Sequence, residues 1–156
     1  MVESLIIPHL DYCSVVCADA SYCLRMQLQR LANAGIRYIF GLKWNEYITP
    51  LRKQLKWLRT DYRRDYFAML IMYRVLRMKG PPFILSLFKP YQSDKPKRGS
   101  RQDLEIPTVS TDSGLLSLQV KYAKLWNAIP PCIRYLSSYS KFKKSIKIHF
   151  SKLENQ

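Results

Sequence analysis

Eight consecutive residues, Tyr66-Phe-Ala-Met-Leu-Ile-Met-Tyr73, carry no charge in a chain otherwise crowded with lysine and arginine. Wound as a helix, such a run turns apolar surface in every direction, and a helix of that kind needs neighbours on all sides. Thr60 or Asp61 supplies a cap before it and Gly80-Pro81-Pro82 a stop after it, which predicts a helix over 62–79 at the middle of a bundle. Arg63, Arg64, Arg74, Arg77 and Lys79 fall toward its ends. The fold class is therefore mainly α.

Other helices are expected around this one. Residues 3–18 read as a short buried helix bent near Pro8. A long helix follows from about Ser21 to Phe40, with Gly41 as its stop and Leu24, Leu28, Leu31, Tyr38 and Ile39 sharing a face. Thr49-Pro50 starts a helix over 51–58, with Arg52, Lys53 and Lys56 facing out. A short helix lies near 83–88, and residues 89–103 read as a polar, basic linker. Beyond it, Leu104–Pro107 and Leu116–Gln119 are candidates for a small β-hairpin. A helix over 120–128 stops before Pro130-Pro131. The terminal helix begins near Ser138 or Ser140, with Tyr139, Phe142, Ile146, Phe150 and Leu153 on one arc and lysines outside it. The expected organisation is a helical bundle over 1–88, the linker, and a small C-terminal unit over 104–156. Trp44, Trp57 and Trp126 are expected as core anchors.

Charge narrows the choice of partner. The net charge is +15, and residues 25–79 hold 13 Lys and Arg against 3 Asp and Glu. Solubility alone asks for a magnitude of roughly 2–8. An anionic partner is expected, nucleic acid first and an anionic membrane surface second. Candidate phosphate contacts form three groups: Arg52, Lys53, Lys56, Arg59, Arg63 and Arg64; Lys95, Lys97, Arg98 and Arg101 of the linker; and Lys141, Lys143, Lys144 and Lys147 of the terminal helix. The plain alternative for each group is a solvated polar face.

No catalytic constellation is visible. A phosphate-binding glycine loop and a Gly-x-Ser-x-Gly elbow are both missing, and no adjacent Asp-Asp pair exists to hold metal ions for polymerase chemistry. Asp61 and Asp65 sit among Arg59, Arg63 and Arg64 and read as capping and ion-pairing groups. His9, Cys13, Cys17 and Cys23 raise a zinc alternative, but one straight helix cannot wrap such ligands around a tetrahedral ion, and buried thiols are the favoured reading. No catalytic residue, metal or cofactor is expected. Met1 to Ala20 lacks the basic flank of a signal peptide, and no run of 18 uncharged apolar residues is present. The chain is expected in the nucleus or cytosol, neither secreted nor membrane-spanning.

Four blocks in order carry a resemblance. They are SLIIPHLDYCSVV (4–16), ITPLRKQLKWL with YRRDYFAMLIMYRVLR (48–77), PPFILSLFKPY (81–91) and LWNAIPPCIRYLSSYSKFKKSIKIHF (125–150). Together they resemble the region downstream of the polymerase palm in reverse transcriptases of non-LTR retrotransposons, jockey-like and related LINE-type elements above all. The resemblance implies a thumb-like and C-terminal helical region that grips template–product nucleic acid. The family's aromatic-Ala-Asp-Asp turn is not in the sequence, so no catalytic residue carries over, and the expectation is a copy truncated before the palm. Cys17 stands where the family has Trp, and Leu31-Ala-Asn-Ala-Gly-Ile36 replaces a stretch that would carry another Arg. Two rivals remain open: an inactive translated fossil, or an interaction module. For the second, the apolar N-terminal segment would meet an upstream polymerase domain or a second copy.

Overall fold

The computed structural model describes residues 2–12, 14, 20–78, 80–91, 103–111, 114 and 117–154. Its helices are α1 (Val2–Leu5), α2 (Ile7–Asp11), α3 (Tyr22–Phe40), α4 (Thr49–Gln54), α5 (Thr60–Arg77), α6 (Pro82–Leu85), α7 (Leu118–Ala128), α8 (Pro131–Arg134) and α9 (Tyr139–Glu154). The protein is mainly helical, and among the described residues the only β pairing is one isolated antiparallel bridge, Pro90 to Leu104.

The uncharged run is buried over most of its surface, with Ile71 left 40% exposed. Tyr66, Ala68, Met69, Leu70, Met72 and Tyr73 are buried, and α5 packs against α9, α7, α3 and α6. The larger core cluster gathers these residues with Phe88, Leu104, Trp126, Ile129, Phe142, Ile146 and Phe150, so it draws side chains from both sides of the 89–103 stretch. Tyr73 stacks on Phe142 at 4.3 Å between ring centroids, and its hydroxyl donates to Leu136 O at 2.7 Å. A second cluster holds Val2, Ile7, Ile36, Ile48 and Trp57.

Asp65, on the α5 face toward α7, is held 3.9 Å from Lys121 Nζ. Burial raises its carboxyl above the ordinary value of 3.8, with Asp61 adding to the rise and Lys121, Arg64 and Arg25 opposing it. A raised folded pKa favours the protonated form, so this group's stabilising contribution is whole below 3.8 and is lost as pH rises through the folded value. Urea unfolding from acid to neutral pH should therefore show Asp65→Asn gaining on the natural chain as pH rises. A gap that closes with rising pH would refute this.

Several helix ends follow their capping chemistry. Ser21 Oγ accepts from Leu24 N, and Gly41 ends α3 at φ 64° with Leu42 N–H donating to Arg37 O at 3.0 Å. Other expectations are corrected. The N-terminal helix breaks at Ile6 rather than bending at Pro8, because Pro8 falls in the first turn of α2, where its missing N–H costs nothing. Cys13 and 15–19 of that segment lie outside the described residues. Helix α4 ends at Gln54, not Leu58. Among the described residues the hairpin is not formed: Leu104 pairs with Pro90, flanked by Tyr91 N–H to Asp103 O (3.0 Å) and Glu105 N–H to Lys89 O (2.9 Å), while Ser117 caps α7 and 118–119 begin it. Residue 116 of the expected second strand is outside the described residues.

Asn127 explains why the Leu104 strand goes where it does. Its Oδ1 accepts from Asp103 N and Leu104 N, both at 3.1 Å, and its Nδ2 donates to Leu104 O at 2.8 Å. One buried amide thus satisfies three backbone groups and fixes the bridge beside Phe88 and Trp126. Fully buried Arg134 adds an ion pair, Nη1 to Asp103 Oδ2 at 3.1 Å. The Tyr135 hydroxyl donates to the other Asp103 oxygen at 2.6 Å, which raises the phenol above its usual range.

The apolar face of α3 is also reassigned. Gln29, Ala32, Gly35 and Ile36 are buried, whereas Leu24, Leu31, Tyr38 and Ile39 face water. Small residues let α3 come close: a Cβ on Gly35 would lie 3.1 Å from Val2 Cγ1. Gln29 is buried because its Oε1 accepts from both Thr60 N and Thr60 Oγ1 at 2.9 Å, a polar clamp to the start of α5.

Candidate nucleic-acid interface

Helix α9 buries Phe142, Ile146 and Phe150 and leaves Lys141, Lys143, Lys144 and Lys147 exposed, as its pattern predicts, whereas Leu153, expected on the same arc, is exposed. Its flank facing α4 forms one wall of a groove of about 330 Å³, lined by Lys53, Lys56, Trp57, Leu58, Lys147, Ile148, Ser151 and Glu154. Three predicted contacts, Lys53, Lys56 and Lys147, therefore meet across two elements that lie far apart in sequence. Lys143, one turn before Lys147, falls on the same flank. The groove's one acid is occupied: Glu154 pairs with Arg52 Nη2 at 2.7 Å and accepts from Arg59 N at 3.3 Å. Glu154 locks the groove wall and is the residue sequence reasoning missed. No spacing rule links it to Arg52 or Arg59.

Lys56 sits at the end of α4 with φ 55°, the one described non-glycine residue with positive φ. Lys56 N–H donates to Lys53 O and Trp57 N–H to Arg52 O, the same left-handed helix end that Gly41 makes for α3. A side chain in this conformation costs roughly 1–2 kcal/mol. Lys56→Gly is expected to raise stability by about 0.5 kcal/mol, because glycine's extra freedom when unfolded offsets part of the relief. The same change should weaken phosphate binding several-fold. A urea midpoint that falls would refute the first half, and an unchanged titration the second.

The other predicted contacts go elsewhere. Arg63 donates to both Asp11 oxygens, at 2.5 and 2.6 Å, and lies over the Phe67 ring. Arg64 is 6% exposed and lines a cavity of about 20 Å³ with Leu10, Leu28 and Trp57, room for a single water rather than a phosphate. Arg52 is held by Glu154, which corrects its expected outward orientation. The Arg59 side chain is exposed at the groove's edge. Lys141 and Lys144 are exposed on α9 and are not among the residues that line the groove. Lys95, Lys97, Arg98 and Arg101 lie outside the described residues.

A second groove of about 340 Å³ flanks α9 on its other side, lined by Pro130, Ile133, Ser145, Ile148, His149 and Lys152. Burial and Lys152 lower the His149 pKa below its usual 6.5, so this groove presents one cation at neutral pH against three in the first. Trp57 and Trp126 are buried as expected, but Trp44 is 85% exposed, since the turn carrying it projects away from both core clusters. Cys23 and Cys132 are exposed free thiols, which corrects the buried reading for Cys23. Among the described residues, no group of three or more His, Cys, Asp or Glu is placed to hold a metal ion, and no helix is long and apolar enough to cross a membrane.

No family model matches the chain, and neither a curated protein nor a solved structure is found to match it.

Proposed function

We propose that the chain binds nucleic-acid backbone without sequence preference through the α4–α9 groove, as the thumb-like region of a retrotransposon reverse transcriptase. The observation that carries this reading is the convergence of Lys53, Lys56 and Lys147 on a groove whose single acid is already paired. Lysines of this kind contact phosphates, and each contact releases counterions. The order of the four sequence blocks supports the reverse-transcriptase origin, and the +15 charge supports the anionic partner.

The test is a fluorescence-anisotropy titration of the folded chain with an RNA–DNA hybrid and an unrelated single strand. Between about 50 and 200 mM salt, affinity should drop at least about tenfold on both. A folded chain that binds neither at low salt refutes the reading.

A second reading, a protein-interaction module, is favoured by one observation. Leu24, Leu31 and Tyr38 on α3, with Leu5, Ile6 and Tyr12, leave apolar surface facing water. Gel filtration showing an oligomer insensitive to salt and free of nucleic acid would support it over the first.

A further inference from the structure

Trp44 is the most exposed large hydrophobic residue among those described, at 85%, with Tyr47 at 76% and Tyr38 at 72%. This exposure is built into the turn that follows α3. Lys43 N–H donates to Glu46 Oε1 at 3.0 Å, Glu46 N–H returns to Lys43 O at 3.3 Å, and Arg37 Nη2 reaches Glu46 O at 3.5 Å. Phe40, Leu42 and Ile48 anchor both ends of the turn in the second core cluster. Trp44 therefore stands at the tip of a braced turn with its indole in water.

The surroundings favour an anionic, aromatic-binding partner. Arg37 and Lys43 flank the tip, and the carboxylate of the one acid there, Glu46, is engaged by Lys43 N–H. The turn feeds into Ile48 and α4, a helix of six residues about 9 Å long that carries the groove lysine Lys53 and is followed by Lys56. An apolar protein partner would have to meet these cations, whereas a nucleic-acid strand offers phosphates to the lysines and π-faces to the rings.

We propose that Trp44 stacks on unpaired bases of a single strand whose backbone lies in the α4–α9 groove. The proposal deepens the groove reading and rests on it. Stacking of this kind tolerates any base, which is consistent with binding that has no sequence preference.

The experiment compares the full chain with Trp44→Ala and Trp44→Phe, each titrated with a short oligothymidylate and with an abasic strand of equal length. The natural chain should bind the base-bearing strand roughly 5- to 150-fold more tightly than the abasic one, and binding should quench tryptophan emission. Trp44→Ala should lose this preference while keeping its salt dependence, and Trp44→Phe should keep most of it. Equal affinity of the natural chain for both strands, or an undiminished preference in Trp44→Ala, overturns the stacking role. An undiminished preference would also point to a protein partner for the exposed rings. Binding of the base-bearing strand alone, with none of the abasic strand, overturns the groove reading and leaves stacking standing. Binding of neither strand overturns both.

Discussion

Asp103→Ala should destabilise the chain by about 3–5 kcal/mol, a large share of what holds a domain of this size folded. The loss comes less from the missing attraction than from what remains. Arg134 is wholly buried, and removing the carboxylate leaves its guanidinium charged in a low-dielectric core. The Tyr135 hydroxyl loses its acceptor in the same step. Pairing the change with Arg134→Met should recover much of the loss, because the buried charge leaves with its partner. Urea unfolding of the two single variants and the double variant measures this cycle. A loss under about 1 kcal/mol for Asp103→Ala would mean the buried arginine is satisfied by other groups.

Changing Lys53, Lys56 and Lys147 together to glutamine should weaken binding of an RNA–DNA hybrid by roughly two to three powers of ten near 0.1 M salt. The plot of log affinity against log salt should flatten by about 0.9 for each lysine that had touched a phosphate. The fold should survive, since all three side chains are exposed and none enters either core cluster. Control changes of Lys89, Lys124 and Lys141 to glutamine, all exposed and none lining the groove, should produce a smaller loss at the same change in net charge. Equal losses from both sets would reduce the groove to general electrostatics.

The core and the lysine groove differ in how far local sequence determines them. Residues 66–73 announce the bundle's centre because an uncharged helix has one stable environment. Phe142, Ile146 and Phe150 announce the buried stripe of α9 in the same way, through period alone. Ser21 and Gly41 mark the ends of α3 because capping is local chemistry. Face assignment on α3 failed for a physical reason. The helix is drawn in by small residues and by a glutamine clamped to Thr60, and neither registers as hydrophobic periodicity. The hairpin failed because Leu104 is claimed by Asn127 and Pro90, partners that no local turn rule selects. Of the candidate site, the lysines of α9 were legible as a polar face. That Lys147 faces Lys53 and Lys56, while Arg63 and Arg52 are consumed by Asp11 and Glu154, depends on contacts between distant segments.

The bridge at Pro90 and Leu104 has a topological consequence. It joins the two ends of the 92–102 segment by backbone hydrogen bonds, and the Asn127 amide and Arg134 hold the later end, at Asp103 and Leu104. The larger core is shared between residues before that segment and residues after it. Severing the chain between 92 and 102 would thus divide the covalent backbone without dividing the hydrophobic core. The two pieces would carry complementary halves of one interior, and the position is a natural place for a split version of the protein that regains its fold when the halves meet.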